Sequence, residues 1–220
     1  MKHLIFDSGP LINFSMNNLL HILIKLKKEF KGDFLITKEV KQEIIDRPLT
    51  IKKYELSGIR LKELFDRGII KHANLSKKQV DELRERREKI MQTANNLFKT
   101  NRGYIHLIDK GESAALALSQ MTEYSPLVID ERTARMLCEN PENLRKLMEK
   151  KLHTSITSNK NEYDLFKNFK VIRSTELIYI AHKRGMIEIK DPRAYNAMLY
   201  GLKFKGCSIS EDEIREMSRL

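Results

Sequence analysis

Two short apolar runs in this chain end on a carboxylate. His3-Leu4-Ile5-Phe6 runs into Asp7, and Pro126-Leu127-Val128-Ile129 runs into Asp130. Neither run alternates apolar with polar residues, which is the pattern of a strand buried on both faces of a parallel sheet. In such sheets ligands bind beyond the carboxyl ends of the strands, where both acids would stand. One strand-terminal Asp is usually a cap or turn residue; two on neighbouring strands, facing one crevice, make a better case for a site. Two glutamates are candidates to join them. Glu43 lies three residues after Val40 and beside Ile44, so it flanks the buried stripe of its helix. Glu112 opens an Ala-rich helix, where Asp109-x-x-Glu112 also reads as a capping box. Each glutamate therefore has an ordinary explanation, as a solvated helix acid or as a cap, beside the functional one.

Ionised carboxylates that converge in one cleft repel each other, and without compensation some take up protons. A divalent cation removes that penalty. Oxygen-only ligation, without His or Cys, suits Mg²⁺ or Mn²⁺, which also bind substrate phosphates. The rest of the chain is basic: 41 Lys and Arg against 30 Asp and Glu, a net charge of +11 and a pI near 9.5. Such a field attracts polyanions, although many soluble proteins rich in Lys and Glu carry a similar excess. A cation trap inside a polyanion-attracting field is what a phosphodiesterase acting on nucleic acid needs.

The elements that must position these acids read as strands alternating with helices. After a turn at Asp7-Ser8-Gly9-Pro10, LINFSMNNLLHILIKLKKEF has helical spacing and closes at Gly32. DFLIT is a second strand, and Thr37 can cap a helix through KEVKQEIID. YELSGIRLKELFDRG is helical, GIIKHANL is a strand, and Ser76 to Phe98 is a long polar helix opened by a Ser76-x-x-Gln79 capping box. ERTARMLCE and NPENLRKLMEKKL read as helices, HTSITSNKNEYD as a mobile loop, and FKVIRSTELIYIAHKRGMI as strand, turn and helix. The last thirty residues read as two short helices packed on the edge, the second capped by Ser210-x-x-Glu213. Alternation of this kind predicts an α/β fold, a parallel sheet covered on both faces by helices. The division expected is a main domain over 1–189, with an extended helical insert at 46–103 and a basic insert at 141–168, followed by a small helical C-terminal tail over 190–220.

Composition excludes several classes. A mean hydropathy of -0.47 and a charged fraction of 32% argue against a membrane protein. The longest apolar run, LLHILIKL, contains Lys25 and falls well short of the roughly 20 residues a bilayer requires. MKHLIF lacks the apolar stretch of a signal peptide, so a cytoplasmic location is expected. Cys138 and Cys207 lie far apart with no CxxC spacing, which argues for reduced thiols and against structural zinc.

IFDSGPLI, LITKEVKQEI, DKGESAALALS and PLVIDERTARMLC, in that order, resemble the PIN domain, a metal-dependent ribonuclease family that includes VapC-type toxins. The GESAALA helix, the IDERTAR segment and the FKVIRSTELIYIAHKRGMI unit most resemble a prokaryotic PIN subset of unassigned role, and the likeness spans about residues 1–190. The resemblance implies a doubly wound parallel sheet with Asp7, Glu43, Glu112 and Asp130 as an acidic quartet at its centre, and Ser8 at a hydroxyl position supporting the first acid. It implies Mg²⁺- or Mn²⁺-dependent hydrolysis of RNA, with the four acids as ligands of one or two ions. The chain departs from the family in two respects. Glu112 stands where many relatives have Asp, and Arg132 and Thr133 follow the fourth acid where some carry a further acid, with Glu131 a substitute directly after Asp130. A toxin of this type would have an antitoxin protein as partner, and toxin-like relatives often form a homodimer; an RNA-processing enzyme needs no antitoxin.

For phosphate contact the candidates are Lys110, Arg132 and Arg135, close in sequence to the acids, with Lys52 and Lys53. RERREK mixes signs and reads as a solvated helix face. No aromatic-rich stretch supports base stacking of the RNP kind. A rival reading keeps the fold and drops the chemistry: a catalytically inactive PIN-like RNA-binding or scaffold protein. Phosphotransfer through an aspartyl-phosphate also begins at a strand-terminal Asp, but it needs a second Asp where Gly9 stands.

Overall fold

Alternation within each short strand divides its apolar residues between two cores. In β1 (Lys2–Phe6), Leu4 and Phe6 pack on one face and Ile5 on the other; in β2 (Gly32–Ile36), Phe34 and Ile36 separate from Leu35 in the same way. Strands buried on both faces need helices on both sides. The computed structural model, which describes residues 2–219, has that arrangement.

The remaining strands are β3 (Ile70–His72), β4 (Phe98–Thr100), β5 (Gly103–Tyr104), β6 (Leu127–Val128), β7 (Thr157–Ser158) and β8 (Val171–Ile172). The main sheet runs β3-β2-β1-β6-β8 with every pairing parallel. The chain therefore winds outward from β1 through β2 to β3, then crosses back to β6 and proceeds to β8. The order reverses between β1 and β6, and a crevice opens at their carboxyl ends.

One core holds α1 (Ser8–Met16), α2 (Leu20–Glu29), α3 (Lys38–Lys41) and α4 (Glu55–Asp66). The opposite core holds α5 (Lys77–Asn95), α6 (Lys110–Met121), α7 (Arg132–Glu139) and α8 (Pro141–Leu152). Three late helices, α9 (Ser174–Lys183), α10 (Ala194–Phe204) and α11 (Glu211–Arg219), return to the first face. The tail is thus built into the core: Tyr195, Leu199, Leu202 and Ile214 are buried in the cluster that contains Phe6 and Phe14.

Several local readings change. Ser8-Gly9-Pro10 forms the first turn of α1 with Asp7 as its N-cap, because a Pro in the first turn has no hydrogen bond to lose. The single helix expected through Phe30 is two helices, broken at Asn17 and at Asn18, whose φ of 58° an Asn tolerates better than most residues. Thr37 caps α3 as expected, but the helix then widens into a π-turn over Gln42–Asp46, closed by Arg47 N–H on the Gln42 carbonyl at 2.9 Å. The Ser76 capping box is present. Its helix stops at Asn95, and Phe98, fully buried, opens β4 instead. β4 pairs antiparallel with β5 and with β7, so the stretch read as a mobile loop carries a strand and a 3-10 turn over Lys160–Phe166 that buries Phe166. The stretch 46–103 also supplies β3, the edge of the main sheet. Among the described residues no helix is long and apolar enough to cross a membrane.

Candidate active site

The register of β1 against β6 sets the two aspartates side by side. Phe6 pairs with Val128, and the Asp7 N–H donates to the Val128 carbonyl at 3.0 Å. Beyond these strand ends lies a cleft of about 340 Å³. Asp7, Glu43, Glu112 and Asp130 all line it, as does Ser8, so the structure brings the sequence quartet into one space. Asp109 and Glu131 line it too.

The two aspartates have opposite surroundings. Asp130, 2% exposed, is held by three donors. Its Oδ1 accepts the Ser174 N–H at 2.8 Å, and its Oδ2 accepts the Ser174 hydroxyl at 2.7 Å and the Asn13 Nδ2 at 2.6 Å. Asp7 is 4% exposed, yet its Oδ1 is buried with no hydrogen-bond partner, and its Oδ2 receives only a long bond from the Gly9 N–H at 3.4 Å. Burial pushes the Asp7 carboxyl up to about 6 against the opposing pull of the Ser8 and Gly9 backbone N–H groups, with Glu43 and Asp130 adding repulsion.

Glu112 caps its helix and also lines the cleft. Its Oε2 accepts the Asp109 N–H at 2.7 Å, the return half of a capping box, while the side chain faces the cleft. Burial, and then the charge of Asp7, raise it to about 8. Glu43 comes from the π-turn and lies so close to α6 that a Cβ at Gly111 would stand 2.9 Å from its Oε1. Only glycine there admits the carboxylate. Glu131 caps α7 by accepting the Ala134 N–H at 2.8 Å.

Of the basic candidates, Lys110 and Arg132 are exposed and stand outside the cleft lining. Arg135 pairs with Glu139 at 2.8 Å, and Lys52 pairs with Glu55 at 3.0 Å. Lys53 lies over the Tyr54 ring at 5.2 Å. With Arg47 and Arg60 it lines a second groove, of about 420 Å³, that shares Ile12 and Glu43 with the acidic cleft.

Sequence reasoning missed Asn13, Ser174 and Lys205. Asn13 had a signal, a polar residue on the buried stripe of α1; Ser174 had one too, a hydroxyl just past the end of β8. Lys205, which lines the cleft from the tail, had none.

Residues 3–142 match the model of the DUF3368 family, described as a PIN domain, which is more than half of the 220-residue chain. The chain belongs to the PIN-domain family. No curated protein and no solved structure matches it. The PIN domain is a nuclease-type fold that generally works on nucleic acid with divalent metal ions, and the match reaches all four acids while ending before α9 and the tail.

Among the described residues, no three His, Cys, Asp or Glu side chains stand together as ready-made metal ligands. The donor chemistry of this PIN domain nevertheless fits a hard cation. The donors are all oxygens, one of them a buried carboxylate oxygen without a partner, and the carboxyls of Asp7 and Glu112 are raised first by burial and then by their acidic neighbours, both of which a cation would offset. Asp7, Glu43 and Glu112 are the side chains that would hold it. Asp130, with three donors already on its two oxygens, has at most one lone pair to add, on Oδ1.

Proposed function

We propose that this PIN-domain protein is a Mg²⁺- or Mn²⁺-dependent endoribonuclease that hydrolyses RNA phosphodiester bonds, leaving a 5′-phosphate and a 3′-hydroxyl. The observation that supports this most is the orphaned, buried Asp7 oxygen at the switch point of the sheet, beside Glu43 and Glu112 in a chain of net charge +11. A bound divalent ion supplies an acidified water and a counter-charge for the phosphate. The protein supplies the rest. Asp7 and Glu43 would supply ligand oxygens to the ion, and Glu112, whose Oε2 alone is tied to the backbone, would offer Oε1 to the proton of the attacking water. Asp130 clamps α1 and α9 so that the crevice keeps its shape, and Ser8 flanks Asp7. The groove lined by Arg47, Lys53 and Arg60 leads the backbone of a single strand toward the acids, while Lys110, Arg132, Arg135 and Lys52 add to the basic field outside.

The test is incubation with single-stranded RNAs, with and without Mn²⁺, beside the Asp7→Asn protein. Cleavage is expected only with metal and the intact acid; undiminished cleavage by Asp7→Asn overturns the assignment. The inactive, RNA-binding reading draws support from Asp130 being occupied by protein donors, and its signature is RNA bound but uncut under every metal condition. Growth arrest on expression, relieved by an antitoxin, marks a VapC-type toxin; its absence marks an RNA-processing enzyme.

A further inference from the structure

Six acids line the cleft, and a phosphate entering it meets their repulsion before anything else. Asp7, Glu43, Asp109, Glu112, Asp130 and Glu131 carry up to six negative charges between them, more than one or two divalent ions fully offset. Among the described residues that line this cleft, Lys205 is the only cation. It comes from the turn between α10 and α11, in the tail, beyond the residues that match the PIN family.

The turn is held in place by specific contacts. The Ser208 N–H donates to the Asp130 carbonyl at 2.9 Å, so the tail is tied to the strand end that carries the fourth acid. Arg173 donates from Nη1 to the Ser208 carbonyl at 3.1 Å and to Glu213 at 2.7 Å, fixing α11. Cys207 and Ile209 are buried on either side of Ser208. Gly206 adopts a φ of +118°, a conformation that side chains rarely accept, and it turns the chain toward the cleft directly after Lys205. Lys205 itself is exposed and makes no hydrogen bond or ion pair among the described residues, although acids surround the space it faces.

We infer that the C-terminal tail completes the active site, and that Lys205 is a substrate-binding residue whose Nζ donates to a non-bridging oxygen of the scissile phosphate. The inference rests on the nuclease reading for the identity of the substrate. The need for a cation against six acids, and the anchoring of the turn, stand without it. A lysine suits the task because its flexible stem can follow the phosphate and its ammonium acts as a point charge.

The experiment uses the full-length protein with Lys205→Met, Lys205→Arg and, as a matched loss of charge on the same tail, Lys190→Met. Two readouts are taken: binding of a fluorescein-labelled single-stranded RNA in EDTA by anisotropy, and single-turnover cleavage with Mn²⁺. Lys205→Met is expected to weaken binding about 3- to 10-fold and to lower cleavage about 10- to 100-fold. Its melting temperature should not change, because the side chain is exposed and unpaired. Lys205→Arg should recover most of both, and Lys190→Met should stay within about 2-fold of wild type. If Lys205→Met behaves like Lys190→Met in binding and in cleavage, the inference is overturned. Should wild type bind RNA without cutting it, the nuclease reading fails alone, and the difference in binding between the two variants still decides the role of Lys205.

Discussion

Asp7 and Asp130 end adjacent parallel strands, are almost equally buried, and were placed by the same kind of apolar run, yet the protein treats them in opposite ways. Just beyond the end of β6 three donors converge on the carboxylate: a backbone N–H and a hydroxyl from Ser174, and an amide from Asn13. At the end of β1 the carboxylate has one buried oxygen with no partner at all. A buried carboxylate satisfied by three hydrogen bonds stabilises a fold, whereas one left partly unsatisfied costs stability. On the proposed reading the two acids of one crevice divide the work, Asp130 holding the crevice together and Asp7 left to meet what enters it.

The largest expected effect follows from Asp7. Asn keeps the capping oxygen for α1 and removes the charge. Cleavage should fall by at least about 1,000-fold, while metal-free stability at pH 8 stays level or rises, since the ionised Asp7 is buried against Glu43 and Asp130. Mn²⁺ should raise the melting temperature of wild type, as any ligand of the folded state does, and leave that of Asp7→Asn unchanged. A variant that loses stability along with activity would break the contrast with Asp130.

Asp130→Asn should show the reverse balance. An amide offers one acceptor where the carboxylate offers two, so at least one buried donor of Ser174 or Asn13 is left facing another donor. The cost is about 2–4 kcal/mol, or roughly 4–16 °C in melting temperature for a chain of this size. The Mn²⁺-induced stabilisation should survive. Lost cleavage in this variant therefore reports on the shape of the site, and only the melting curve separates that from lost metal. An Asp130→Asn protein as stable as wild type would show that the three hydrogen bonds are not the anchor described here.

Why the sequence revealed the first of these acids better than the architecture around it has a physical basis. β1, β2 and β6 announce themselves because burial on both faces makes the ends of β1 and β2 and the whole of β6 uninterrupted apolar runs, and the acid after β1 and β6 stands out against that background. The break at Asn17 and Asn18 is quiet, because the apolar spacing continues across it and only a backbone dihedral changes. β4, β5 and β7 are two or three residues each, too short for any period to develop, and they exist because Phe98 and Phe166 find a shared core. Within the site, the acids were legible by type and Asn13 and Ser174 by context. Lys205 was not, since a lysine between Phe204 and Gly206 looks like any other until the tail folds back onto β6.

A smaller effect separates Asp7 from its neighbour Glu112. The folded-state pKa of Glu112, about 8, lies above its ordinary value of 4.5, so protonation favours the folded state. The corresponding stability is present below about pH 4.5 and is lost as pH rises through 8. Metal-free Glu112→Gln should match wild type at low pH and exceed it by up to a few kcal/mol at pH 8, while the glutamine still accepts from the Asp109 N–H. Adding Mn²⁺ at pH 8 should reverse the order by stabilising wild type alone. Parallel melting curves across pH 5 to 8 would remove Glu112 from the cluster.

The finest probe is Gly111, where stability and activity should part. Its Cβ would stand 2.9 Å from the Glu43 Oε1, closer than real contacts allow, but Glu43 is exposed at the mouth of the cleft and is free to withdraw. Alanine is also the better helix former in the first turn of α6, by up to about 1 kcal/mol. Gly111→Ala should therefore melt at or slightly above the wild-type temperature and cut RNA about 3- to 30-fold more slowly, because one donor has been displaced from the space it shares with Asp7. Glu43→Ala, which removes the same carboxylate outright, should be slower still, and combining the two should add nothing to Glu43→Ala alone. Additive losses would mean that Gly111 acts on the site by some route other than the room it leaves for Glu43.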